Sequence, residues 1–217
     1  MKVVKFSHAC VRVEREGAVL VIDPGTLTEP ESVDGADAVL LTHEHFDHLD
    51  VQKLVDAVAK RPSVTVYTHP EVTPKLGEFG GAVTEVVPGS EFSAAGFKVR
   101  TYGGLHAMIH PEVPRVANVG FFIEGDGGTG GVYHPGDSFD VPTDADVETL
   151  FVPVSGPWLK LAEAIEFVRA IKPRRAYALH DGLLNDVGHD LATRLMSGLS
   201  GADYDRLIPG TTLTLPS

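Results

Sequence analysis

The chain has a single thiol, Cys10, among its 217 residues. No intrachain disulfide can form, so stability must come from a packed core, and a reducing cytoplasm is the expected setting. Cys10 falls in an alternating strand pattern, the place of a small core residue rather than of a nucleophile. Long hydrophobic runs are also missing: no apolar stretch approaches the roughly twenty residues that a membrane helix needs. The N-terminus enters strand-like Val3-Val4-Lys5-Phe6 with no apolar leader core. Basic residues are scarce, with 18 Lys and Arg against 30 Asp and Glu and a net charge of −12. The basic pair Arg174-Arg175 reads as the solvated start of a strand. A phosphate backbone attracts stripes of Lys and Arg, so a nucleic-acid partner is excluded. The expected partner is a small molecule, without a membrane; a homo-oligomer is compatible with the composition.

What the chain does have is an ordinary globular balance, 43% hydrophobic and 22% charged. Its length suits one domain, residues 1–217, with a generous core. The most informative stretch follows the apolar run Ala38–Leu41: Thr42-His43-Glu44-His45-Phe46-Asp47-His48. If the backbone leaves the strand extended, His43, His45 and Asp47 point to one side, at i, i+2 and i+4. His48 turns to another. Imidazole nitrogen and carboxylate oxygen suit zinc, and less strongly manganese or iron. Four donors in two directions exceed what one tetrahedral zinc takes from so short a loop, which suggests two metals side by side. The alternative is a polar surface loop rich in histidine.

His43-x-His45-x-Asp47-His48 after a short hydrophobic strand resembles the signature of the metallo-β-lactamase superfamily of metal-dependent hydrolases. Further pieces follow in that family's order: Gly104-Leu105-His106, then His134-Pro135-Gly136-Asp137-Ser138, then Ala178-Leu179-His180-Asp181. Ser7-His8-Ala9-Cys10 and Val19-Leu20-Val21-Ile22-Asp23-Pro24-Gly25 look like the small branch that includes the ascorbate-6-phosphate lactonase-like proteins. The resemblance implies an α/β (α+β) fold, a four-layer αβ/βα sandwich with two mixed sheets between helices. It places the site at one edge between the sheets. It also implies two divalent ions, zinc first, with Mn2+ or Fe2+ as alternatives. One would take His43, His45 and His106; the other would take Asp47, His48 and His180, with Asp137 and a water or hydroxide between them.

Paired zinc ions lower the pKa of a shared water from ~15.7 towards ~7, which makes hydroxide available near neutral pH. Asp47 would be the catalytic residue, orienting that nucleophile and carrying a proton to the leaving group. The implied reaction is hydrolysis of an ester, lactone, amide or phosphodiester. His45 stands where related diiron oxygen-reducing proteins carry a glutamate, and no flavin domain follows; both favour hydrolysis. An iron-dependent oxygenase of the same fold and a non-catalytic metal-binding scaffold are the alternatives. The intact ligand set argues against the scaffold.

Three residues are candidates for supporting or substrate contacts, each with two readings. Asp23 is either a turn residue before Pro24 or the carboxylate that fixes a ligand imidazole. His8 is either a polar turn residue or a histidine beside the metals. Trp158 is either core packing or a flat apolar wall of the cleft. His134 is read as a supporting or packing residue, His69 as surface, His110 as a loop residue with substrate contact only its lesser reading, and His189 as a polar residue of a helix's first turn.

The secondary-structure expectation has strands at residues 2–6, 10–14, 18–23, 38–42 and 64–68. Strands at 83–87, 91–92, 97–101, 117–124 and 131–134 form a second set, followed by strands at 149–154, 175–179 and 212–215. Helices are expected at 50–60, capped by Asp50, at 159–171 and at 186–199.

Overall fold

The computed structural model describes residues 1–215. The N-terminal segment is a β-meander of β1 (Lys2–Lys5), β2 (Val11–Arg15) and β3 (Ala18–Ile22). Then come β4 (Ala38–Leu41), α1 (Val51–Lys60), β5 (Thr65–Thr68) and β6 (Ala82–Glu85). The hairpin β7 (Glu91–Ala94) and β8 (Phe97–Leu105) leads to β9 (Ala117–Glu124) and β10 (Gly131–His134). The remainder is β11 (Thr149–Pro153), α2 (Leu161–Ile171), β12 (Arg175–Leu179), α3 (Asp186–Leu199), β13 (Asp203–Asp205) and β14 (Thr211–Thr214).

The strands form two seven-stranded mixed sheets, ordered β14-β1-β2-β3-β4-β5-β6 and β13-β12-β11-β10-β9-β8-β7. In each, one half is antiparallel and the other parallel. Val3, Val13, Leu20 and Leu40 of the first sheet pack on Phe97, Phe121, Phe151 and Leu179 of the second. On the outer face of the first sheet, Val39, Leu41 and Val66 meet Leu54 and Ala57 of α1. Outside the second, Leu150 and Val152 meet Phe167 and Val168 of α2 and Met196 of α3. That is the expected four-layer sandwich. β4 is buried on both faces, which is why it reads as an unbroken apolar run rather than an alternation.

Asp50 caps α1 as expected, its Oδ1 accepting from the Gln52 amide at 3.0 Å. Several boundaries differ from the sequence reading. β6 does not belong to the second strand set; it lies parallel to β5 at the edge of the first sheet, because the crossover through Thr73–Leu76 returns the chain to the same sheet. β8 continues through Gly103 and Gly104 instead of ending at Thr101, so its last residue, Leu105, directly precedes His106. β13 was not foreseen; three residues with only Tyr204 buried leave almost no periodic signal. Among the described residues, no helix is long and apolar enough to cross a membrane.

Candidate metal centre

Strand ends deliver nearly every polar group of interest to one edge of the sandwich, the usual location of sites in open α/β sheets. β4 ends at Leu41, and the loop that carries His43, His45, Asp47 and His48 begins at once. β8 brings His106, β10 brings Asp137, β12 brings His180, and the turn between β1 and β2 brings His8. A close approach keeps the loop in place: a Cβ on Gly25 would collide with the Asp47 carbonyl. The Thr26 amide donates to the Phe46 carbonyl at 2.9 Å.

Seven predicted ligands and His8 fall into two adjoining groups. His43, His45, His106 and Asp137 form one; His8, Asp47, His48 and His180 form the other. Within each group, one donor atom per residue lies within 4.8 Å of every other. Asp137 touches both. Its Oδ2 is 3.2 Å from His106 Nε2 and 3.1 Å from His180 Nε2, and its Oδ1 is 3.1 Å from His48 Nε2. The Asp137 amide donates to Asn118 Oδ1 at 3.0 Å, which fixes where the carboxylate emerges. Gly136, at φ +62, has no room for a Cβ, which would strike Asn118 Oδ1 and Thr42.

Hydrogen bonds behind the imidazoles decide which nitrogens face the centre. The Thr42 hydroxyl donates to Asp23 Oδ2 at 2.6 Å, so its oxygen is free to accept from His43 Nδ1 at 2.9 Å. His48 Nδ1 donates to Asp23 Oδ2 at 2.7 Å, and His106 Nδ1 donates to the Ala107 carbonyl at 2.6 Å. Each arrangement holds the proton on Nδ1 and turns the Nε2 lone pair inward, as metal-binding imidazoles require. Asp23 is therefore the orienting carboxylate and not merely a turn residue; it also accepts from the Thr42 amide at 2.8 Å.

His8 is buried, and its Nε2 lies 3.0 Å from Asp47 Oδ2. The Gly182 amide donates to its Nδ1 at 3.2 Å. A backbone N–H can only donate, so neutral His8 carries its proton on Nε2 and gives it to Asp47. Burial lowers its pKa, against the pull of Asp47, and keeps it neutral. His8 thus stands beside the centre as a donor to Asp47, with no lone pair left to face it. Trp158 fits neither of its two readings alone: it is buried, but its indole N–H donates to Asp137 Oδ2 at 3.1 Å. Its ring meets those of His106 and His180 edge-on.

The donor set has the charge pattern of a cation site. Burial opposes charge on His48, yet Asp137 and Asp23 outweigh it and raise its pKa well above the usual range. His180 behaves alike: burial is overcome by Asp137 and Asp47, and its pKa is pushed up to about 9. Asp137 is buried and Asp47 half-buried, but the neighbouring histidines hold both carboxyls below their ordinary value. Two carboxylates therefore demand positive charge, which protons supply on histidines that have Nε2 turned inward. His48 Nε2 and Asp137 Oδ1, 3.1 Å apart, are buried without a hydrogen-bond partner among the described residues. Such orphaned donors and acceptors, aimed at one another, fit divalent cations.

Other histidines stay outside. His134 is buried and donates from Nε2 to the Ala9 carbonyl at 2.8 Å, the supporting role read from the sequence. His69 and His110 accept from the Glu71 and Glu112 amides in local turns, so His110 is not brought into the cluster. His189 lies in the first turn of α3, as read from the sequence, and is buried 4.0 Å from Asp181. Sequence reading missed Thr42, Asn118 and Lys5. Only Lys5 left a signal, a lysine on the inward-facing alternation of β1.

Comparison with known proteins agrees with this fold. Residues 2–180 match the family model described as a Beta-lactamase superfamily domain. Protein Rv0786c of Mycobacterium tuberculosis is 35% identical over 99% of this chain and 100% of its own length. A UPF0173 metal-dependent hydrolase of Myxococcus xanthus is 28% identical over 82% of this chain and 69% of its own. Among solved structures, Igni18, a metallo hydrolase from Ignicoccus hospitalis, superposes with a TM-score of 0.77 at 20% identity, covering 100% of this chain and 98% of that one. CmlA, a diiron β-hydroxylase from Streptomyces venezuelae, gives 0.73 at 21% identity over 99% of this chain and 54% of that one. Both likenesses are of fold.

Proposed function

Because this chain belongs to the metallo-β-lactamase superfamily of metal-dependent hydrolases, we propose that it is a dinuclear hydrolase acting on an ester, lactone or phosphodiester bond of a small molecule. The observation that carries the reading is the pair of adjoining donor groups joined through Asp137, with His8 serving the second one only through Asp47. His43, His45 and His106 would hold one cation, and Asp47, His48 and His180 the other, with Asp137 shared. Nitrogen-rich donors at this spacing favour zinc, with Mn2+ or Fe2+ as alternatives.

Bound there, the cations supply Lewis acidity and an ionised water at neutral pH. The protein does the rest. Asp47 reaches the surface, 13% exposed, while its partners His8 and His180 are buried, so it can take a proton at the cleft mouth. The His8 N–H steadies the Asp47 carboxylate. Trp158 closes one wall and excludes water from Asp137. Exposed Phe46, Met108 and Leu183 follow ligand positions closely in sequence and would offer apolar contact to a substrate. A net charge of −12 supports a partner other than nucleic acid, and the reading takes residues 1–217 as one cytoplasmic domain.

Elemental analysis of protein purified without added metal, paired with chromogenic lactone, ester and bis(p-nitrophenyl) phosphate substrates, tests this. Two zinc per chain with turnover is the expected result. One iron with oxygen consumption would point to an oxygenase, as the CmlA likeness would allow. Full occupancy without turnover on any substrate would point to a scaffold.

A further inference from the structure

A lysine lies behind the second group of ligands, and the reaction above does not use it. Lys5 is 1% exposed. The β1 alternation turns it inward with Val3, between Val11 of β2 and Thr211 of β14. A buried ammonium needs partners. Lys5 Nζ donates to the carbonyls of Phe6 and His8, the latter at 2.7 Å, and lies 3.6 Å from Asp181 Oδ1. Asp181 is held from its far side by Arg206 Nε at 3.3 Å.

These partners are the flanks of the metal centre. The same His8 carbonyl accepts the His180 amide at 3.1 Å, and the Gly182 amide donates to His8 Nδ1 at 3.2 Å. His8 and His180 both hold left-handed backbones, at φ 57 and φ 54. Such a backbone is strained for a residue with a side chain and persists only where surroundings enforce it. The turn after β1 and the loop after β12 are therefore stitched together, and Lys5 sits at the joint.

We propose that Lys5 is a positioning residue of the metal centre: its ammonium clamps the His8 carbonyl to Asp181, which keeps the His8 N–H on Asp47 and the His180 imidazole at the second metal position. The inference rests on the dinuclear reading. A purely stabilising role predicts something different. Lys5→Met removes one partner of a buried pair and leaves Asp181 to Arg206 alone, so some loss of stability accompanies it in either case. A general loss weakens both metal positions alike, whereas a loosened joint weakens only the second.

The test is zinc titration against a chelating dye, with Co2+ absorption spectra and thermal melts of the metal-free proteins. Wild type, Lys5→Met and a surface control, Lys60→Met, are compared; Lys60 is 66% exposed. Wild type and the control should bind two metals. Lys5→Met should bind the first equally well and the second ~10-fold or more weakly, the usual scale for a lost supporting contact, with a lower melting temperature for the metal-free protein. Wild-type affinity at both positions in Lys5→Met, or equal loss at both, would overturn the Lys5 role alone. A wild-type chain that takes up no second metal overturns the dinuclear reading and this inference with it. Should Lys5→Met not fold, Asp181→Asn probes the clamp from its other end: selective loss of the second metal supports it, and wild-type affinity there overturns it.

Discussion

Asp23 Oδ2 accepts the Nδ1 proton of His48 at 2.7 Å, in a place where neither side chain is open to solvent. Through this one contact a turn residue between β3 and β4 sets the tautomer of an imidazole at the head of α1. The same oxygen takes the Thr42 hydroxyl, which in turn supports His43. One carboxylate thus serves both halves of the centre.

Asp23→Asn keeps the shape but replaces an acceptor pair by an amide, so His48 and Thr42 lose a charged partner. Metal affinity is expected to fall by 10–100-fold, the range for lost orienting carboxylates. Chelator competition measures it. Retention of full affinity would remove Asp23 from the site.

Trp158 is the only tryptophan, and its N–H contacts Asp137. Intrinsic fluorescence should therefore report metal loading directly. Addition of zinc to metal-free protein is expected to change the emission in proportion to occupancy up to saturation. A flat titration, with metal uptake shown by elemental analysis, would contradict the placement of Trp158.

His180 gives the metal-free protein a signed pH dependence. Its pKa rises from 6.5 to about 9 on folding, because Asp137 and Asp47 outweigh the cost of burial. The stabilisation is complete below pH ~6.5 and is lost as pH climbs through about 9; it is on the order of 3 kcal/mol. Denaturant unfolding of metal-free wild type and His180→Asn should therefore show a gap that narrows from pH 6.5 to 9. A gap that widens over that window has the wrong sign.

Gly136 holds φ +62 against Asn118 and Thr42. Gly136→Ala adds both backbone strain and a collision, and a loss of ~2 kcal/mol or more is expected in chemical denaturation. A loss below ~0.5 kcal/mol would mean that the Asp137 loop relaxes freely.

Much of this was legible in the chain because it is local. The apolar run of β4, the Asp50 cap and the period of α1 need only neighbouring residues, and so does the donor spacing of residues 43–48. The sheet membership of β6 was not, since a parallel edge strand is chosen by the crossover and not by its own four residues. β13 was hidden because three residues with one buried side chain carry no period.

Sequence by itself determined the donor inventory and the strands that carry it, because residue type and alternation are properties of short segments. Tertiary structure alone decided that His8 gives its proton to Asp47 and that the Trp158 N–H meets Asp137. Those outcomes depend on hydrogen bonds between groups as many as 174 positions apart, such as Gly182 with His8. No local pattern encodes such a bond; it exists only once two sheets have packed and the buried polar groups have had to find one another.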